Sequence, residues 1–266
     1  MKNIVEIKNL CYSVSESAVF TKPTEKFILE NISFSVQQGK IVGVAGESGS
    51  GKTTLAKIIA GILPPTSGTI TFDLSDEWKN TTTKPVQILF QNSTDILNPL
   101  RNIDDILDEA IETRYRKNDM ELKKNILEAV KVPEKLSHKK GFELSGGEQQ
   151  RIALARILAV KPEILILDEP FSAQDPPSQL NLLNLLGAIN KEYHITMLCI
   201  SHNLKILREL CDEIIIIYKG KIVESGYVRD VLVNPKNAYT KFLLKAENYS
   251  LSYNEIQNEL EDLRIE

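Results

Sequence analysis

Two stretches near the N-terminus alternate apolar with polar residues. The first covers residues 4–8, and the second runs from residue 27 to residue 36. A period of two places apolar side chains on one face of an extended chain, so both stretches are predicted to be antiparallel strands. The residues between them, 13–25, are rich in Ser and contain Thr and Pro, which predicts a loop.

Short apolar runs alternate with segments of helical pattern over the rest of the chain. Residues 41–45 are apolar without a break, as in a strand buried on both faces, and residues 52–61 are predicted to form a helix that ends at glycine. Further strands are predicted at 69–72, 86–90, 163–168, 195–200 and 213–218, and further helices at 147–160, 176–192 and 203–211. This alternation predicts an α/β fold with a mostly parallel sheet, next to an antiparallel β subdomain formed by the N-terminal strands.

The stretch from about residue 95 to residue 143 has a different texture. Apolar residues recur there at helical spacing among many charged ones, which is typical of amphipathic helices. We interpret 95–143 as a helical subdomain inserted into a single domain that covers residues 1–246. The last residues, 247–266, are acidic and weakly helical and are expected to form a C-terminal tail.

Composition and charge limit the partners. Of the 266 residues, 42% are hydrophobic and 26% charged, and the net charge of −4 offers no basic stripe, so no nucleic-acid partner is expected. No apolar run nears the ~18 residues that cross a bilayer, and the N-terminus lacks the apolar core of a signal peptide, so direct membrane insertion is not expected. The three cysteines fit neither a disulfide framework nor a zinc site and are expected to be reduced.

Residues 46–53 form the pattern Gly-x-x-x-x-Gly-Lys-Thr between a predicted strand and a predicted helix. That is the context a phosphate-binding loop requires, because glycines let successive N–H groups converge on one anion and the helix N-terminus adds positive potential. Lys52 is expected to reach the terminal phosphates and the Thr53 hydroxyl to bind Mg²⁺. The residues expected to hold the nucleotide here are Gly46, Glu47, Ser48, Gly49, Ser50, Gly51, Lys52, Thr53 and Thr54.

Polar residues follow three of the predicted strands. The apolar run 164–167 ends in Asp168, which is expected to orient Mg²⁺ mostly through water, and Glu169, which is expected to hold the attacking water as general base. Gln91 follows the strand at 86–90, and its amide could ligate Mg²⁺ and orient water. His202 follows the strand at 195–200, where it could contact the γ-phosphate or hold Glu169.

Residues 144–148 read Leu-Ser-Gly-Gly-Glu and precede a predicted helix. A serine and two glycines at this place could be a helix cap and nothing more. They could equally form a second anion site from the Ser145 hydroxyl and the N–H groups around Gly146 and Gly147. Because the phosphate loop already serves one nucleotide, a second site makes sense if it closes on the nucleotide of another subunit.

The motifs occur in one fixed order along the chain: the phosphate loop, Gln91, residues 144–148, Asp168 with Glu169, Ser-Ala-Gln-Asp at 172–175, and His202. In this order and at these spacings, roughly residues 4–245 resemble the ATP-binding subunits of ABC transporters. The resemblance implies a P-loop NTPase fold of the ABC ATPase type, with ATP and Mg²⁺ as cofactors. It also implies a head-to-tail dimer in which each ATP lies between one phosphate loop and the opposing serine–glycine segment.

The resemblance further implies an aromatic side chain near the N-terminus that stacks on adenine. Tyr12 is the candidate, with Phe20 and Phe27 as rivals. The chain departs from the usual family pattern at several positions. Among them, Gln174 stands where leucine is common, Glu148 stands where glutamine is frequent, and Leu100 separates Pro99 from Arg101.

Two more segments resemble the dipeptide, oligopeptide and nickel uptake branch of the family. Residues 97–101 resemble its Leu-Asn-Pro-Arg run, and residues 234–244 resemble its Pro-Tyr-Thr-x-x-Leu-Leu element. The branch implies an ATPase that powers uptake of peptides or nickel, held at the cytoplasmic face of the cell membrane through permease subunits. A second ATPase subunit, identical or related, and an extracytoplasmic substrate-binding protein are the other implied partners. The alternatives are an export-type ABC ATPase for lipoproteins or drugs, and a soluble one in translation or DNA repair.

Overall fold

The computed structural model describes residues 2–16, 24–79, 81, 83–91, 97–172 and 174–247. The chain divides into two compact units, one formed by Met1–Asp73 with Leu198–Glu266 and the other by Leu74–Met197. The tail predicted at 247–266 lies outside the described residues apart from Glu247, and Phe20 also lies outside them.

The secondary structure follows the predicted order as far as the strand at 213–218, and one further strand and two further helices come after it. The strands are β1 (Asn3–Glu16), β2 (Thr24–Gln37), β3 (Ile41–Ala45), β4 (Ser67–Phe72), β5 (Val86–Leu89), β6 (Ile164–Asp168), β7 (Thr196–Ile200), β8 (Glu213–Tyr218) and β9 (Lys221–Tyr227). The helices are α1 (Lys52–Ile59), α2 (Ile103–Tyr115), α3 (Met120–Ala129), α4 (Gly146–Leu158), α5 (Pro176–Tyr193), α6 (Leu204–Leu210), α7 (Val228–Val233) and α8 (Ala238–Glu247). No helix in these described ranges is long and apolar enough to span a bilayer.

The first unit contains a three-stranded antiparallel sheet in the order β2-β1-β4, as the N-terminal alternation predicts. The predicted loop at 13–25 is wrong at both ends, because residues 13–16 and 24–25 continue β1 and β2 as far as the Glu16–Thr24 pair. A backbone ladder needs no apolar side chains, and the Ser13 hydroxyl donates a 2.7 Å hydrogen bond to the Glu25 carboxylate across the pair. Residues 13–16 and 24–25 therefore form strand although their composition is polar.

The same unit contains a second sheet, in which β3 and β8 are parallel and β9 returns antiparallel to β8. The run Ile214–Ile217 is buried, as in a strand between two covered faces. Lys219 and Gly220 form the turn to β9 with positive φ values of 45° and 76°.

The second unit contains the parallel pair β5 and β6, with Val86 opposite Ile164. The helices α2 and α3 lie in the stretch predicted to be a helical subdomain, and the Asn102 side chain accepts a 2.8 Å hydrogen bond from the N–H of Asp105 to cap α2. The α5 helix begins at Pro176, where a missing N–H costs no hydrogen bond. The division between the units falls within β7.

Candidate functional site

The loop between β3 and α1 has a backbone that requires its glycines. Gly46, Gly49 and Gly51 have φ values of 150°, 83° and 102°, which L side chains resist. A Cβ atom on Gly46 would lie 2.1 Å from the carbonyl oxygen of Ile217, and one on Gly51 would lie 2.6 Å from Cδ2 of Leu29. Backbone conformation and close packing therefore both exclude a side chain at Gly46 and Gly51, whereas at Gly49 the backbone conformation alone favours glycine.

The interior of the loop suits an anion. Lys52 is only 8% exposed, and its Nζ donates hydrogen bonds to the carbonyl oxygens of Gly46 (2.9 Å) and Glu47 (2.7 Å). The Ser50 hydroxyl is buried and makes no hydrogen bond to any described residue. A buried ammonium, an unpartnered hydroxyl and the start of α1 meet in one concave turn. The residues present therefore fit the phosphate chain of a nucleotide.

One contact to this loop comes from a residue that sequence reasoning does not identify. The N–H of Glu47 donates a 2.9 Å hydrogen bond to the hydroxyl of Tyr239, on helix α8, 192 residues further along the chain. Tyr239 lies in the segment 234–244, whose only signal in the sequence is its resemblance to one transporter branch. Nothing in that pattern links it to the loop.

His202 and Tyr12 belong to the same unit as the loop. The N–H of Ser201 donates to the carbonyl oxygen of Val44, which places His202 just beyond β7, at the carboxyl edge of β3. Tyr12 lies on β1 opposite Leu29, whose side chain packs against Gly51. The rival Phe27 is 51% exposed on β2. Which aromatic stacks on adenine stays a prediction.

The second unit brings the predicted carboxylates and the glutamine to one sheet edge. Leu89 of β5 pairs with Leu167 of β6, so Gln91 leaves the sheet at the same edge as Asp168 and Glu169. Asp168 is 4% exposed, which is costly for a carboxylate unless a partner is supplied. Glu169 adopts a left-handed backbone with φ of 51°, and its carboxylate accepts a 3.1 Å hydrogen bond from the Ser172 hydroxyl. Strained backbone of this kind is common at functional sites.

Residues 145–148 form a capping box at the start of α4. Ser145 is the N-cap, and the carboxylate of Glu148 accepts 2.8 Å hydrogen bonds from both the N–H and the hydroxyl of Ser145. A Cβ atom on Gly146 or Gly147 would touch nothing within 4 Å, so packing gives no reason for glycine there. Of the two readings of this motif, the cap is confirmed, and the bare first turn leaves room for a ligand beside it.

Two glutamines tie α4 to the segment that follows Glu169. The Gln150 amide donates a 2.7 Å hydrogen bond to the carbonyl oxygen of Pro170. The Gln174 amide donates to the Gln150 side chain and, at 3.3 Å, to the same Pro170 oxygen. Gln174 stands where leucine is common in the family. Its side chain makes hydrogen bonds within the second unit.

Comparison with known proteins decides the family. Residues 29–172, more than half of the chain, match the sequence profile of the ABC transporter family. The chain belongs to the ABC transporter family. This ABC ATPase is 35% identical to the oligopeptide transport ATP-binding protein OppF of Lactococcus lactis, over 92% of its own length and 81% of the relative. It is 33% identical to the dipeptide transport ATP-binding protein DppF of Haemophilus influenzae, over 88% and 75%.

A solved structure also resembles the ABC ATPase. The dimeric post-hydrolysis state of the ATP-binding cassette MJ0796, bound to ADP and Pi, is 26% identical and has a TM-score of 0.69, covering 85% of this chain and 99% of that one. The predicted fold, ATP binding and ATPase activity are confirmed at the level of the family. Cassettes of this family form dimers and work with transmembrane permease subunits.

Proposed function

We propose that the ABC ATPase powers uptake of peptides, bound through permease subunits to the cytoplasmic face of a membrane. The observation that carries this proposal is the pair of relatives named for oligopeptide and dipeptide transport, aligned over 92% and 88% of the chain. Those alignments reach well beyond the 29–172 family match. A second, identical or related ATPase subunit and an extracytoplasmic substrate-binding protein complete the proposed assembly.

In this proposal the phosphates of ATP lie in the loop 46–53, against the Lys52 ammonium and the N–H groups at the start of α1. The partly buried position of Tyr12, opposite the strand residue that packs on Gly51, supports its assignment to the adenine ring. Thr54, in the first turn of α1, lies beside the same phosphates.

Mg²⁺ takes oxygen ligands, and three of the predicted residues offer them: the Thr53 hydroxyl, the Gln91 amide and, mostly through water, the Asp168 carboxylate. When bound, the ion neutralises charge on the β- and γ-phosphates. Asp168 ends β6 at the sheet edge that Gln91 also leaves, which supports its role beside the same ion.

Hydrolysis needs a base for the attacking water. Glu169 is the proposed base, because it follows β6 directly and its carboxylate is only part-buried, with the Ser172 hydroxyl as a neighbour. His202 is proposed either to contact the γ-phosphate or to hold Glu169 in place. Gln91 is proposed to orient the water.

The second half of each ATP site is proposed to come from another subunit. Ser145, Gly146 and Gly147 would present the start of α4 to the γ-phosphate held by the partner. Such a site favours the closed pair of subunits only while the γ-phosphate is present. The γ-phosphate contacts both subunits in the closed pair, and hydrolysis removes that contact. The opening and closing would drive the permease.

The export and soluble alternatives are not favoured. Repair factors have a long coiled coil between the phosphate loop and the segment that corresponds to residues 144–148, the signature, and the insert at 95–143 is too short for one. The named relatives are transport proteins.

The test is a vesicle assay of the ATPase with the permease subunits that purify with it and the binding protein of the proposed assembly. We expect di- or oligopeptides to stimulate ATP hydrolysis severalfold, Ni²⁺ to leave it unchanged, and a complex carrying Lys52→Ala to show neither basal nor stimulated hydrolysis. Stimulation by Ni²⁺ alone would assign the nickel branch. Purification with ribosomes or DNA in place of permeases would refute the transport role.

A further inference from the structure

The C-terminal helix α8 carries a tyrosine that the proposed mechanism does not use. Tyr239 is 1% exposed, and its ring stacks on Tyr218 at 4.1 Å and lies 6.3 Å from Phe242. An aromatic residue buried among others is ordinarily a core residue and nothing more. Its hydroxyl, however, must find a polar partner at that depth.

The partner is one peptide unit of the phosphate loop. The N–H of Glu47 donates to the Tyr239 hydroxyl at 2.9 Å, and the carbonyl group of the same peptide, that of Gly46, accepts from Nζ of Lys52 at 2.9 Å. A peptide group is planar, so its N–H and its C=O turn together. The orientation that Tyr239 imposes on the N–H is therefore also the orientation in which the carbonyl meets the lysine.

Packing holds this peptide at its Gly46 end, which lies close to the Ile217 carbonyl oxygen, but not at its Glu47 end, where the side chain is exposed. Gly46 has no side chain to restrict rotation about its own bonds, so hydrogen bonds contribute to the orientation of the peptide. A fixed acceptor on a neighbouring element removes that freedom.

Tyr239 is such a fixed acceptor because the start of α8 is anchored independently. The Glu224 carboxylate on β9 accepts hydrogen bonds from the N–H groups of Lys236 (2.8 Å) and Asn237 (3.1 Å). The Asn237 side chain in turn accepts from the N–H of Tyr239 at 2.8 Å. Burial raises the pKa of Tyr239 above its ordinary value, so its hydroxyl stays neutral at pH 7.

We propose that Tyr239 is a positioning residue for ATP binding, which holds the Gly46–Glu47 peptide and thereby sets the resting place of the Lys52 ammonium. The inference rests on the proposed function, since it assigns Lys52 to the phosphates. Tyr239 itself touches no substrate. Through it, ATP affinity depends on a helix that lies outside every nucleotide-binding motif of the chain.

The test compares Tyr239→Phe with Tyr218→Phe in the full-length protein. Each variant keeps its ring and loses one hydroxyl from the same stack, but in the described structure only the Tyr239 hydroxyl bonds the loop. For Tyr239→Phe we expect hydrogen exchange at the Glu47 amide, without nucleotide, to speed up on the order of tenfold, and the Kd for ATP to rise roughly three- to tenfold. The kcat at saturating ATP should stay within about twofold. Tyr218→Phe should match the wild type in all three.

Exchange in the wild type provides a measurement that does not depend on a variant folding. The Glu47 amide should exchange more slowly than that of exposed Ser48 in the nucleotide-free protein, and equal rates would overturn the proposal. Equal ATP affinity in wild type and Tyr239→Phe, or equal losses in the two variants, would also overturn it. Each of those results leaves the proposed function standing. Wild type that binds no ATP would instead refute both.

Discussion

The Ser145 hydroxyl donates a 2.8 Å hydrogen bond to the Glu148 carboxylate, three residues further along the same helix start. The N–H of Ser145 donates to the same oxygen, and these two bonds lower the pKa of Glu148. The proposed function asks the Ser145 hydroxyl to meet a γ-phosphate. The Ser145 hydroxyl is therefore already hydrogen-bonded to Glu148. The negative charge of Glu148 would lie beside the γ-phosphate that Ser145 is proposed to bind.

Removing this charge should favour the closed pair of subunits. Glu148→Gln retains a carbonyl oxygen that can accept from Ser145, so the cap survives while the repulsion of the phosphate disappears. We expect ATP-dependent assembly to tighten roughly threefold or more at low salt, and the gain to shrink as salt is raised. Sedimentation over a range of ATP concentrations measures it.

Glu143→Gln is the matched control, because Glu143 also accepts a backbone hydrogen bond, from Lys140 at 2.7 Å, but precedes the signature. It should leave assembly as in the wild type. Weaker assembly of Glu148→Gln would show that the glutamate helps to bind the nucleotide across the pair.

Glu169→Gln should separate ATP binding from turnover. The amide cannot take a proton from water, whereas the phosphate loop, in the other unit, is untouched. We expect ATP affinity within about threefold of the wild type and hydrolysis reduced by a factor on the order of a hundred or more. Equilibrium binding and phosphate release measure the two quantities. Turnover at the wild-type rate would remove Glu169 from the role of base.

Lys123 should contribute strongly to the stability of the helical region. Its side chain is 8% exposed, and Nζ lies 2.8 Å from Asp108 and 3.1 Å from Asp104, both about a quarter exposed. Lys123→Met removes the cation between two facing carboxylates, leaves only the exposed imidazole of His138 beside Asp104, and should lower the free energy of unfolding by about 2 kcal/mol. The exposed neighbour supplies the control, Lys124→Met, with a change within about 0.5 kcal/mol. Urea unfolding of the two variants checks the difference.

The pH dependence of that difference has a definite sign. Burial lowers the pKa of Lys123, but its hydrogen bonds to Asp108 and Asp104 outweigh burial and raise the pKa above the ordinary 10.5. A lysine whose pKa is higher in the folded than in the unfolded protein contributes its full stabilisation below the unfolded pKa. That stabilisation is lost as the pH rises through the folded pKa. The gap between wild type and Lys123→Met should therefore stay level from pH 7 to 9 and close only above about 10.5. A gap that closes at neutral pH would contradict the ion pairs.

Much of the fold could be predicted because local patterns and tertiary packing agree. The unbroken apolar runs of β3 and β8 predict strands covered on both faces, and the two strands pair with their apolar residues buried. The ends of β1 and β2 could not be predicted, because Ser13 and its neighbours are held by backbone pairing that composition does not encode.

The candidate site likewise has a part that the sequence predicts and a part that it does not. The loop 46–53 and the Ser145–Glu148 spacing are local, and both carry a recognisable signal. The contacts of Tyr239 with Glu47 and of Gln150 with Pro170 join residues 192 and 20 positions apart. No local pattern specifies such pairs, so they come from tertiary structure alone.

The central claim, that Ser145 serves ATP bound by another subunit, is tested most directly by adding Ser145→Arg to the Glu169→Gln protein. Two quantities are measured for the single and the double variant: ATP affinity of the dilute monomer, and molar mass by light scattering at saturating ATP. We predict equal monomer affinities, a dimer for Glu169→Gln and a monomer for the double variant. A double variant that still dimerises, or one whose monomer has lost ATP affinity, would contradict a site shared between subunits.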